Sequence, residues 1–187
     1  MPVWAHPMEK IIQTIVYKEV SFTVVERPDI LWVGCVDYAT DNESESNTDM
    51  TLKRYREELI GVEKQELINP DWSAALSINY TCNHRPCGMM FAQETHTNRQ
   101  DERYDLFLQP GGLWLRIRND SQAAALLGKD SVAPYEYFAE AQILQSAAQA
   151  HGYQQNPDVH VQVEYHCHGE YGAPQHSNYA YIPIVGV

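Results

Sequence analysis

Basic residues and cysteines are scarce in this sequence. Its 187 residues include 13 Lys and Arg against 25 Asp and Glu, which gives a formal net charge of -12. Because so acidic a chain repels phosphate groups, we expect no direct binding to nucleic acid or to an anionic membrane surface. The four cysteines are too sparse for the disulfide framework of a small secreted domain. The sequence therefore predicts a cytoplasmic protein with reduced thiols.

Long hydrophobic runs are also missing. The apolar run at residues 11–17 is too short to span a bilayer, and no leader-like basic and apolar segment opens the chain. No serine triad, phosphate loop or metalloprotease motif is present. With 44% hydrophobic and 20% charged residues, the chain is expected to form one domain, or two small similar halves that share a core.

One stretch, residues 159–168, carries the clearest pattern. Apolar side chains alternate there with polar ones, and a period of two is typical of a strand with two unlike faces. We expect the aliphatic face to pack on helices and the other face to present Glu164 among histidines. The apolar set is Val159, Val161, Val163, Tyr165 and Cys167, and the polar set is His160, Gln162, Glu164, His166 and His168.

The rest of the chain reads as short strands and two helices. Residues 8–17 fit a short amphipathic helix or a strand, and residues 120–131 stay ambiguous. Pro134 suits the first turn of a helix that runs to about residue 151, and a second helix is expected at 49–60. Further strands are predicted at 20–27, 30–38, 74–82, 89–95, 104–109, 113–118 and 178–185.

Three short matches in the same order indicate an internal repeat. They pair residues 28–32 with 110–114, 69–71 with 156–158, and 79–82 with 164–167. We expect an α+β fold in which two strand-helix-strand-strand halves, about 20–98 and 104–187, follow an N-terminal extension at 1–19. The halves would share a mainly antiparallel sheet with helices on one face and a ligand groove on the other. The repeat makes Asn79 the equivalent of Glu164.

Four short motifs resemble the GyrI-like effector-binding domain family, which includes the drug-sensing part of BmrR. The resemblance covers residues 20–187. The chain is similar to the stand-alone members of the family, including those on integron cassettes. The motifs are Val163-Glu164 within VEYH, Tyr181-Ile182-Pro183-Ile184, Val25-Glu26-Arg27-Pro28 and Ser77-Ile78-Asn79-Tyr80.

This resemblance implies a domain that binds lipophilic, often cationic molecules in an aromatic groove with a buried glutamate. If the family's binding residues are carried over to this sequence, Glu164 is the buried glutamate, Tyr181 forms a wall of the groove, and Tyr80 is a further contact. Val163 stands where the family usually has an aromatic residue, and His166 stands where it usually has tyrosine. Since few residues precede the domain, we expect a free-standing sensor or sequestering protein, linked to transcription regulation or drug resistance.

A carboxylate in an aromatic groove is a physically sensible trap for a cation. An unpaired buried carboxylate is costly, and each aromatic face adds about 0.5–2 kcal/mol for a cation above it. The competing interpretation is a structural ion pair between Glu164 and Arg116, Arg118 or a histidine. The aromatic candidates, each of which also suits core packing, are Trp32, Trp114, Tyr80, Tyr137 and Tyr181.

Other functions stay open at this stage. Glu164 with His166 could serve as acid and base in a hydrolase of strained electrophilic compounds, and a gyrase-inhibitor-like protein-binding role is a third class. We expect a binding protein rather than an enzyme. Its expected partner is a hydrophobic or cationic small molecule, and a homodimer is left open. Zinc-competent residues lack a standard spacing, so no metal or cofactor is expected; they are Cys82, His84, Cys87, His166, Cys167, His168 and His176.

Overall fold

The computed structural model describes residues 8–38, 48–59, 62–64, 66–70, 72–79, 85–119, 142–167 and 177–187. Within them, helix α1 is Thr48–Lys53, continued by a π-helical turn at Arg54–Glu58, and helix α2 is Gln142–Gln149. The strands are β1 Lys10–Tyr17, β2 Val20–Arg27, β3 Ile30–Tyr38, β4 Trp72–Ile78, β5 Gly88–Thr95, β6 Asp105–Gln109, β7 Gly112–Asn119, β8 Tyr153–Gln155, β9 Val161–Cys167 and β10 Ser177–Gly186.

All the strands belong to one antiparallel sheet. Its order is β1-β2-β7-β10-β9-β4-β5-β3-β6, and β8 pairs with the end of β10. The order is symmetric about the β9–β4 pair, because β10, β7 and β2 follow on one side and β5, β3 and β6 on the other. The α+β fold with a mainly antiparallel sheet is therefore confirmed, while the residue-by-residue repeat stays a prediction.

Two tight corners bend this sheet back on itself. Only Pro28 and Asp29 join β2 to β3, although these strands lie in opposite halves of the sheet. Pro110 and Gly111 join β6 to β7 in the same way, and the Gly111 backbone N–H donates to the Asp29 carboxylate at 2.7 Å. Because proline cannot donate to a ladder, the pairing breaks there and the strands change direction.

The bend closes the sheet around one of its faces. Trp32 on β3 and Tyr165 on β9 have ring centroids 5.4 Å apart, although two strands separate them. In a flat sheet three strand spacings would amount to about 14 Å. The face that carries these rings is called the inner face below, and the opposite face is called the helix face.

Each face has its own core. The inner-face core contains Val25, Ile30, Trp32, Ala74, Leu76, Ile78, Met90, Ala92, Trp114, Val159, Val161, Val163, Tyr165, Tyr179 and Tyr181. On the helix face, Leu144, Ala147 and Ala148 of α2 pack on β2, β7 and β10. Leu59, after the π-helical turn, packs separately on Val33 and Cys35 of β3. The two helices thus cover two distinct patches of one face.

Most element boundaries follow the sequence pattern, with two informative differences. Residues 10–17, ambiguous in sequence, form β1, because their β-branched side chains pair with β2 at the edge of the sheet. Strand β4 ends at Ile78 rather than continuing to residue 82, since Asn79 turns into the left-handed region with a φ of 61°. Residues 120–131 and the predicted start of α2 lie outside the described residues. No helix in the described ranges is long and apolar enough to cross a membrane.

The close pairing of β3 and β5 gives a test of the sheet. A Cβ at Gly34 would lie 1.9 Å from the carbonyl oxygen of Phe91, which is backbone and cannot move alone. We expect Gly34→Ala to lower the free energy of unfolding by about 1–3 kcal/mol, measured by urea denaturation. Gly186→Ala is the matched control, because a Cβ there meets no described atom within 4 Å. Equal effects of the two substitutions would contradict this pairing.

Candidate functional site

The pairing register places Glu164 in the middle of the helix face. Residues directly opposite each other in neighbouring strands share a face. Glu164 pairs with Ala180 on one side and with Ala75 on the other. The full lateral row across β7, β10, β9, β4, β5 and β3 is Ile117, Ala180, Glu164, Ala75, Phe91 and Cys35.

The two ends of this row lie under the helices and its centre lies between them. Helix α2 packs over β7, β8 and β10, and α1 packs over β3 and β5. Ile117 and Ala180 belong to the core below α2, and Cys35 belongs to the core below the π-helical turn. Strands β9 and β4 therefore form the floor of the part of the helix face that lies between these two patches.

Small or polar side chains line this floor, which is called the central strip below. It consists of Ser73, Ala75 and Ser77 of β4 and of Gln162 and Glu164 of β9. Glu164 is only 2% exposed, and Ser77 and Gln162 are 7% and 8% exposed. Since alanines stand on both sides of Glu164, no bulky neighbour on the same row covers its carboxylate.

The face assigned to Glu164 from the sequence is wrong. The aliphatic residues of β9 were expected to pack on helices, but Val161, Val163 and Tyr165 lie on the inner face. Glu164 lies on the helix face instead, beside Ala180 of the core below α2. Alternation fixes which residues share a face but not which face the helices cover, and the closed inner face takes the more apolar set.

Three of the predicted aromatic contacts lie on the inner face, away from Glu164. Trp32, Trp114 and Tyr181 are each less than 2% exposed. The Arg27 guanidinium carbon lies 4.4 Å from the Tyr181 ring centroid, 5.2 Å from that of Tyr165 and 5.8 Å from that of Trp114. An aromatic cage for a cation is thus present, and its cation is a side chain of this protein.

Arg27 is the centre of a buried ion cluster. Its side chain is completely buried, and Nε lies 3.5 Å from a carboxylate oxygen of Glu9. Nη2 lies 3.8 Å from Glu94 and donates to the Tyr165 hydroxyl, which in turn donates to Glu94. Among the described residues Nη1 has no hydrogen-bond acceptor, so the ring faces supply part of its stabilisation.

A second arginine completes the ion cluster. Arg116 donates to Glu9 and is 5% exposed, and the Tyr181 hydroxyl donates to the same carboxylate at 3.1 Å. Burial raises the pKa of Tyr165 and of Tyr181 well above the usual value, so both phenols stay protonated as donors at neutral pH. Burial by itself would lower the pKa of Arg27. The nearby tyrosines and the carboxylates of Glu9 and Glu94 outweigh this effect, so the pKa of Arg27 is raised.

The remaining predicted contacts lie elsewhere. Asn79 is in the turn after β4, where its backbone N–H donates to the His160 carbonyl at 2.7 Å and its side chain donates to Pro86 at 3.1 Å. Glu164 lies within a strand, and the equivalence of the two residues in the repeat stays a prediction. The register puts His166 opposite Ser73 and Asn178. Tyr80 and Tyr137 lie outside the described residues.

A lysine occupies a smaller aromatic site at the edge of the helix face. The Lys64 ammonium lies 5.1 Å from the Tyr55 ring centroid and 5.8 Å from that of Tyr104. It also donates to Gln93, which accepts a hydrogen bond from Tyr55 at 3.1 Å. Burial lowers the pKa of Lys64.

The described part of the chain holds no group of three or more His, Cys, Asp and Glu residues that could bind a metal. Cys35 is a free thiol, and burial raises its pKa to about 11, which keeps this thiol protonated and unreactive. Four zinc-competent residues, Cys82, His84, His168 and His176, lie outside the described residues.

The sequence did not reveal the ion cluster. Glu9, Arg27 and Glu94 come from distant positions, and each looks like an ordinary surface charge in its local pattern. The central strip had a weak signal, because the segment Ser73-Ala74-Ala75-Leu76-Ser77 carries small side chains at every second position. These small residues lie on the same face as Glu164.

Solved structures of the same fold include small-molecule-binding domains. The chain is similar to SAV2435 bound to tetraphenylphosphonium, with a TM-score of 0.59 and 11% identity, over 88% of this chain and 94% of that chain. It is also similar to the C-terminal domain of EcmrR, with a TM-score of 0.53 and 12% identity, over 89% and 98% of the two chains. An integron cassette protein, VCH_CASS2 of Vibrio cholerae, gives a TM-score of 0.47 and 12% identity, over 95% and 99%.

No family model matches the chain, and no curated protein matches it in sequence. The likeness is therefore one of fold. The sheet and its two helices define an α+β domain, and this domain has the GyrI-like effector-binding fold.

The ion cluster is tested by removing its central charge. Arg27→Met keeps an apolar stem in the aromatic cage but leaves Glu9 and Glu94 without their shared partner. We expect a loss of about 3–5 kcal/mol in the free energy of unfolding, measured by urea denaturation with tryptophan fluorescence. Arg103→Met is the control, because Arg103 pairs with Asp101 on the surface, and its urea midpoint should not change. A stable Arg27→Met protein would mean that the cluster is dispensable.

Proposed function

We propose that the protein binds hydrophobic cations over the central strip, between α1 and α2, with Glu164 as the counter-charge. One observation carries this proposal: a nearly buried carboxylate stands between two alanines, on the face of the sheet that carries both helices. A carboxylate removed from water gains most from a cationic partner.

The ligand would meet both apolar and polar groups at this floor. Ala75, Ala180 and Phe91 supply apolar contact beside the carboxylate, and Ser77 and Gln162 supply hydrogen-bonding groups. A largely apolar pocket with a few placed polar groups is typical of small-molecule sites. The tetraphenylphosphonium bound to SAV2435 is a hydrophobic cation, which supports this ligand class for the fold.

The aromatic part of the expected site is revised in this proposal. Trp32, Trp114 and Tyr181 hold the ion cluster and the inner core rather than the ligand. His166, whose backbone pairs with Ser73, remains a candidate contact from the sequence. Tyr80 and Tyr137 remain candidates from the sequence alone, and Asn79 would act only at the end of the strip. In this role the protein is a cytoplasmic sensor or sequestering domain for small molecules.

Ligand titration tests the role of Glu164. We expect tetraphenylphosphonium to quench tryptophan fluorescence in the wild type, and Glu164→Gln to weaken binding about tenfold, equivalent to roughly 1.4 kcal/mol. Triphenylphosphine oxide, a neutral analogue, should bind both proteins equally. Glu26→Gln is the matched control, because Glu26 is exposed on β2. Unchanged cation affinity in Glu164→Gln would remove Glu164 from the site.

A second substitution tests the place of the ligand rather than its charge. Ala75→Leu puts a larger side chain directly beside Glu164, so tetraphenylphosphonium and its neutral analogue should both lose affinity. Ala150→Leu, on an exposed position after α2, should leave both affinities unchanged. Circular dichroism verifies that both variants are folded. Normal binding by Ala75→Leu would place the ligand elsewhere.

A further inference from the structure

The residue just before β1 is anchored far more deeply than the strand that follows it. The Glu9 side chain is 1% exposed. On β1 itself Ile15 is buried, whereas Ile11, Ile12 and Val16 are 51%, 44% and 57% exposed. Strand β1 is also an edge strand, paired only with β2, and its register shifts between Ile11 and Gln13. One carboxylate therefore provides much of the contact that holds this segment.

Three donors from three neighbouring strands converge on that carboxylate. Arg116 of β7 donates to one oxygen. Arg27 of β2 lies 3.5 Å from the other oxygen, to which the Tyr181 hydroxyl of β10 donates at 3.1 Å. Arginine and hydroxyl donors in fixed positions are the usual means of binding a carboxylate. These strands are adjacent in the sheet, so the three donors do not depend on β1 for their positions.

Charge balance makes an anion necessary at this place. With Glu9 the ion cluster contains two arginines and two carboxylates. Removal of Glu9 would take away the carboxylate that is paired with both Arg27 and Arg116, and would add one positive charge to the inner face. An uncompensated buried charge is strongly unfavourable. The requirement is for a carboxylate in that position, whatever molecule carries it.

We propose that Arg27, Arg116 and the Tyr181 hydroxyl form a carboxylate-binding site that Glu9 fills from within the chain. A small monocarboxylate binds to the same donors when Glu9 is withdrawn. This site lies on the inner face and is independent of the proposed cation site on the helix face.

Chemical rescue of Glu9→Ala tests the proposal. The substitution removes a fragment the size of acetate, so acetate is the matching probe. We expect the Tm of Glu9→Ala to fall by roughly 6–20 °C and to recover saturably in sodium acetate. Sodium chloride at equal ionic strength, and acetamide as a neutral isostere, should restore nothing. Glu26→Ala, which removes an exposed carboxylate from β2, should show no response specific to acetate.

A second variant keeps the test decisive. Glu9→Gln fills the same volume with a neutral amide, so it should be destabilised and acetate should fail to restore it. Rescue of Glu9→Gln equal to that of Glu9→Ala would show a bulk salt effect and overturn the proposal. If Glu9→Ala does not fold in chloride, refolding from urea in acetate replaces the melting experiment. Recovery only in acetate supports the site, and failure in both salts overturns it.

Discussion

The buried guanidinium of Arg27 is the constraint on which the rest of the inner face depends. An arginine cannot lose its charge, so once its stem enters the core the fold must supply carboxylates and ring faces around it. The partners come from strands far apart in sequence, namely Glu9 before β1, Glu94 on β5, and Tyr165 and Tyr181 on β9 and β10. They can meet only if the sheet is curled, which ties the position of one charge to the curvature of the whole sheet.

The same alternation that builds this core also determines the face on which the candidate site lies. Tyr165 points to the inner face and binds within the ion cluster, so its neighbour Glu164 must point to the helix face. On β10, Ala180 likewise lies on the helix face and Tyr181 on the inner face. The residues above and below the sheet therefore share a backbone, and the ion cluster sets the position of the strand that carries Glu164.

Local patterns predicted what local physics determines. The strands at 20–27 and 30–38 follow from β-branched residues interrupted by Pro28, and the structure has them at the same bounds. The choice of face for Glu164 could not be made, because it depends on which side of the sheet the helices cover. The ion cluster was equally inaccessible, since Glu9 and Glu94 look like surface acids until the sheet folds around Arg27. The aromatic residues were expected to surround a cationic ligand, whereas three of the rings surround the side chain of Arg27.

This last point separates two kinds of cation site in one fold. Arg27 is bound by three rings and two carboxylates on a closed face, so its aromatic cage is already filled and offers no place to a cationic ligand. Glu164 lies on the helix face instead, with small neighbours, Ala75 and Ala180, in its row. Aromatic residues and a carboxylate are thus insufficient to identify a ligand site. What distinguishes the candidate site is the absence of bulky side chains beside the charge, which in the row through Glu164 is provided by Ala75 and Ala180.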